Sequence, residues 1–186
     1  MEYVAAGARG LVGVVFLMSV VGKLAGRSAL GAFVSSVRDM QVVPQSIVQP
    51  MAWTVVGAES LVCVLLAMPV TEVAVAGFAI AAGLLAAFTA GIALALRRGV
   101  RSPCRCFGRS TTPLGMPHMV RNAVLGATAC AGAWTASAPG GLEPGGVLLA
   151  VSVGVTIGAL VASLDDILAL FRPVKHPTVG TARSLH

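Results

Sequence analysis

The chemistry in this sequence is concentrated in one short stretch. Cys104-Arg105-Cys106-Phe107-Gly108, preceded by Ser102-Pro103, sets two thiols two positions apart. Such a pair can close a small, strained disulfide ring, and strain makes a disulfide labile rather than structural. Arg97, Arg98, Arg101, Arg105 and Arg109 surround it. Their positive field favours thiolate over thiol, the form a nucleophilic or metal-binding cysteine requires. Pro103 and Gly108 suit a fixed turn, and Phe107 suits docking of that turn at a membrane interface. A little further on comes Met116-Pro117-His118-Met119. With Cys104 and Cys106 it offers two thiolates, two thioethers and an imidazole, a soft set of the kind that selects Cu(I). The spacing matches no strict metal motif, so no metal is favoured.

The elements that must position these residues are apolar helices. Of 186 residues, 56% are hydrophobic and 11% charged, whereas a soluble domain carries about a quarter charged residues. So few charges cannot cover a water-soluble globule of this size. In hydrocarbon every backbone group must be satisfied within the chain, which leaves helices or a closed barrel. The long, unbroken apolar runs point to helices. Five stretches reach the roughly 20 residues a span needs: about 4–22, 44–68, 70–96, 119–137 and 146–171. Between the first two, Ala32, Phe33, Val37 and Met40 recur at helical spacing opposite Ser35, Arg38 and Asp39. This predicts a short amphipathic helix in the interface, ended by Pro44. The expected fold is therefore an all-α, polytopic membrane bundle over residues 1–171, with a solvated, disordered tail over 172–186. The first apolar stretch is expected to be retained: Glu2 is a poor start for a signal peptide, and Lys23 stands where small residues should precede cleavage.

The net charge of +6 marks topology rather than nucleic-acid binding, because the basic residues fall between the apolar runs. Lys23, Arg27 and Arg38, the five arginines near the cysteine pair, and Arg172, Lys175 and Arg183 occupy three separate segments. With five helices all three lie on one side, which the positive-inside rule makes cytoplasmic, with the N-terminus outside.

Ionisable groups inside apolar helices are costly and need a partner or a role. Glu59 lies within the second stretch and Arg9 within the first. At 1.5 Å per residue, Arg9 is ~21 Å from Lys23 and Glu59 ~22 Å from Pro44, so matching depths predict an Arg9–Glu59 pair. Proton relay is the sharper reading of Glu59. Asp165 and Asp166 sit near the inner end of the fifth stretch, where Arg172 or Arg121 can neutralise them. Their other reading is as a proton acceptor near the cysteine loop. Cys63 and Cys130 read as small buried hydrophobes, or as a second thiol pair passing electrons onward. Small residues crowd the later helices, and Gly154-x-x-x-Gly158 has the spacing of close helix packing.

Phe16-x-x-Ser19-x-x-Gly22-Lys23-Leu24, the amphipathic stretch ending at Pro44, Glu59 and above all Cys-x-Cys-Phe-Gly resemble the MauE-like membrane proteins, related to the DoxX group. The resemblance spans about residues 10 to 130. It implies a redox-associated membrane protein serving exported proteins, often beside a thioredoxin-like partner, with Cys104 and Cys106 as the redox pair. By analogy it also implies a bundle planned like quinone-coupled disulfide-forming proteins, with quinone as cofactor. A role in export would put the cysteines on the outer face, against the charge rule. The favoured function is thiol–disulfide exchange, its direction open. Soft-metal handling and a non-catalytic subunit of a membrane redox complex stay open beside it.

Overall fold

A computed structural model describes residues 2–100, 115–137 and 143–170, with the backbone alone at positions 2, 165, 166 and 168–170. The Cys104–Cys106 segment, with Pro103, Arg101, Arg105, Phe107, Gly108 and Arg109, lies outside the described residues. So do the tail and the side chains of Asp165 and Asp166. The described residues form six helices: α1 (Glu2–Leu24), α2 (Arg27–Asp39), α3 (Gln45–Ala67), α4 (Thr71–Arg97), α5 (Met116–Ala136) and α6 (Pro144–Leu170).

Five of these helices fall on the five apolar stretches, and the chain runs up and down through one bundle. The core is built from α1, α3, α4 and α5, around Val12, Phe16, Val62, Phe78, Leu85 and Leu125. Contact between α4 and α5 and between α1 and α6 is the most extensive. Glycine permits the closest approaches. A Cβ on Gly154 would run into the backbone carbonyl of Gly7, and one on Gly158 into that of Leu11. The Gly154-x-x-x-Gly158 spacing therefore serves to lay α6 against α1. Outside, Trp53, Val64, Val124, Trp134, Leu148, Leu149 and Leu160 are exposed, an apolar exterior that soluble monomers rarely carry.

Four helices, α1, α3, α4 and α6, are long and apolar enough to cross a membrane. The sequence suggested five. The difference lies in α5, whose first two turns carry His118, Arg121 and Asn122. It still runs antiparallel to α4 through the same layers: Gly132, near its end, fits between Phe78 near the start of α4 and Ala8 near the start of α1.

The amphipathic segment is helical, but it does more than lie flat. Helix α2 turns Phe33, Ser36 and Met40 inward, and packs on α3 and α1. Ser35, Arg38 and Asp39 face outward. Helix α4 ends in a Schellman turn. Gly99 adopts φ 76, its N–H donates to the Leu96 carbonyl, and the Val100 N–H donates to that of Ala95. Left-handed backbone of this kind favours glycine. Arg98 then donates to the Gln41 carbonyl in the α2–α3 turn, tying the end of α4 to the segment before α3.

Candidate functional site

The described residues meet chemically where the last turn of α1 faces the middle of α3. Side chains on a helix lean toward its N-terminus, so Lys23 reaches back along α1 rather than out past its end. Its Nζ donates to Ser19 Oγ at 2.6 Å and to both carboxylate oxygens of Glu59, at 2.7 and 2.9 Å. Ser19 Oγ in turn donates to Glu59 Oε1 at 3.1 Å. Helix α2 closes the group from the side: the Phe33 ring centroid lies 4.8 Å from Nζ, a cation–π distance. Lys23 is 2% exposed and Glu59 0%. Three helices thus converge on a charge pair sealed from solvent and lipid.

This arrangement corrects the expected Arg9–Glu59 pair. Arg9 donates instead to the backbone carbonyl of Met68, the residue that caps the C-terminal end of α3. Carbonyls there have no helical partner, and a cation is favoured beside them. The depth count failed because it set Lys23 and Pro44 level. With Arg9 beside Met68, Glu59 lies about 14 Å further in, nine residues back at 1.5 Å each. The first turns of α3 run past the end of α1, and α2 packs on them.

Lys23 and Ser19 were legible only in part. Ser19-x-x-x-Lys23 is one-turn spacing on an apolar helix, and a lysine with a serine at i−4 facing a buried carboxylate is a pairing signal. Lys23 instead read as a topology charge. In chemical terms the group can hold one proton between Nζ and Oε1 across 2.7 Å. Its passage would convert an ion pair to a neutral pair with no change in net charge, and Ser19 can accept and donate at once.

The remaining candidates are scattered. Cys63, half-buried on α3, and Cys130, exposed on α5, are both free. They stand on separate helices, each packed on α4 and α1, and no disulfide joins them. Met116 is exposed, His118 is buried at 4% exposure, and Met119 packs on the core. At 100° per residue these three spread around the helix. Among the described residues no group of three or more His, Cys, Asp or Glu side chains comes together to hold a metal.

Five long helices with an apolar exterior, two of them joined by a charge pair sealed inside, are those of a multi-pass helical membrane protein. The chain belongs to the MauE family: the model of methylamine utilisation protein MauE matches residues 1–135. That range holds α1 to α4, the Cys-x-Cys segment and all but the last residue of α5, and ends before α6. No curated protein and no solved structure matches the chain.

Proposed function

We propose that this MauE family protein carries out thiol–disulfide exchange at the membrane through Cys104 and Cys106, with a thioredoxin-like protein as partner. The observation that carries the reading is the family match over residues 1–135, because it takes in Cys-x-Cys-Phe-Gly as well as the Ser19, Lys23 and Glu59 positions. The charge pattern supports it. Arg97 and Arg98, exposed at the end of α4, lead directly into the cysteine segment, and Arg101, Arg105 and Arg109 lie within it. Cationic surroundings lower a thiol's pKa and attract acidic partner surfaces.

In the reducing direction, one thiolate of the pair attacks a sulfur of the partner's disulfide. The partner's S–S bond breaks, a mixed disulfide forms, and the partner's other sulfur leaves as thiolate. The second cysteine of the pair loses its proton and attacks the mixed disulfide. A Cys104–Cys106 bond closes, and the partner leaves with both sulfurs reduced. Two electrons and two protons pass from one dithiol to the other, so no further reactant is needed. The oxidising direction is the same sequence reversed. In this reading α5 crosses the membrane with the other four long helices, and the Lys23–Glu59 lock holds the end of the bundle from which the cysteine segment departs.

Single-cysteine trapping tests the proposal. Cys106→Ser and Cys104→Ser variants, expressed in membranes and quenched with acid, should differ. One should accumulate a reducible mixed disulfide with a thioredoxin-like protein, and the other should not. Absence of any mixed disulfide from both variants would contradict exchange.

A further inference from the structure

Among the described residues, Asn122 is the buried side chain with both of its polar atoms unmatched. It is 1% exposed, and among the described residues neither its amide nitrogen nor its carbonyl oxygen has a hydrogen-bond partner. In a membrane helix an orphaned amide is costly, and such a group calls for an explanation. Asn122 lies at the floor of a groove of about 490 Å³ between α4 and α5. The walls are mostly small side chains, chiefly Ala86 and Ala90 from α4 and Ala123, Gly126 and Cys130 from α5; Leu85 also lines it, with Thr89, whose hydroxyl is bonded to the Leu85 carbonyl. Asn122, Gly126 and Cys130 follow at four-residue spacing, which places them along one stripe of α5.

We propose that two copies of this chain associate through this face as a two-fold dimer, with the Asn122 carboxamides paired across the axis. The chemistry of the orphan selects the occupant. Both a donor and an acceptor are unmatched, and a second carboxamide supplies both at once in reciprocal hydrogen bonds. A two-fold axis brings each residue to its own counterpart, so only a self-complementary group can sit on it. Small residues at four-residue spacing let two helix backbones approach closely, and polar side chains then bond across. Pairing requires the buried Asn122 side chain to turn from the groove floor into the groove. The dimer also covers part of α5, which is less apolar than α1, α3, α4 and α6. The surface opposite, where α6 packs on α1, takes no part.

Dilution of the full-length protein in lipid vesicles, read by single-molecule photobleaching, tests this. The wild-type chain should be dimeric at high protein density and dissociate on dilution. Asn122→Leu, which removes the orphan while keeping the same branched shape, should weaken association roughly tenfold, the size of two interhelical hydrogen bonds. Ala123→Leu, at an exposed position, should abolish association by filling the groove while Asn122 remains. A variant keeping Cys130 as its one cysteine should be captured as a covalent dimer by a short bis-maleimide. A chain monomeric at every density would overturn the proposal. So would a dimer indifferent to both substitutions, or one whose Cys130 residues cannot be bridged.

Discussion

Lys23 Nζ lies 2.7 Å from Glu59 Oε1, with both side chains almost wholly buried and Ser19 bonded to each. A buried pair of this kind contributes little net stability beyond an apolar pair, yet breaking it leaves an uncompensated charge. Lys23→Met and Glu59→Leu should each destabilise the bundle by about 3–5 kcal/mol. The double variant should recover most of the loss, because no charge is then left alone. Denaturant or thermal unfolding of the four proteins in one detergent, set out as a double-mutant cycle, measures the coupling.

Arg9 belongs to a different part of the bundle. Its guanidinium holds the carbonyl of Met68 at the end of α3. A hydrogen bond to a charged donor contributes about 1.5–3 kcal/mol, so Arg9→Met should cost at the lower end of that range. The effect should add to that of Glu59→Leu rather than couple with it. Measured coupling near zero between the two variants would fit this separation; strong coupling would restore the pairing that depth counting suggested.

The seam between α1 and α6 depends on glycine. Gly154→Val would push a side chain into the Gly7 backbone, and overpacking of this sort costs about 1–3 kcal/mol. Gly13, on the same α1 helix, has open space around it. Gly13→Ala should therefore be neutral or stabilising by up to about 1 kcal/mol, through helix propensity alone. Protease sensitivity of α6 in the two variants separates a displaced seam from a general loss of stability.

Gly99 ends α4 with a left-handed backbone. Gly99→Ala places a Cβ where it costs about 1–2 kcal/mol. The expected result is faster hydrogen exchange at Gly99 and Val100, whose amides close the turn, with α1 and α3 unchanged. Uniform acceleration across the bundle would show that the turn is coupled to the core.

The sequence revealed most where one physical constraint acts alone. Lipid allows only internally bonded backbone, so each long apolar stretch had to be a helix, and their ends fell close to Pro44, Pro69 and Gly99. Amphipathic spacing likewise located α2, and Gly154 and Gly158 pointed to a close seam. What stayed hidden depends on how far one helix slides past another. Glu59 called for a cation; Arg9 read as its partner, and Lys23, on the same helix, as a topology charge. The choice turned on the offset between α1 and α3, which no periodicity records. Asn122 was hidden for a related reason. Its type was visible, but that both amide atoms go unmatched depends on what α4 presents to it.

The redox state of Cys104 and Cys106 in the intact membrane tests thiol–disulfide exchange most directly. Cells quenched in acid, alkylated with and without prior reduction, and analysed by mass spectrometry of the whole protein would show it across a series of imposed thiol potentials. A disulfide joining Cys104 and Cys106 is expected to open and close reversibly, with a two-electron midpoint, while Cys63 and Cys130 stay free throughout. Two thiols at Cys104 and Cys106 that remain reduced and unreactive at every potential would contradict exchange.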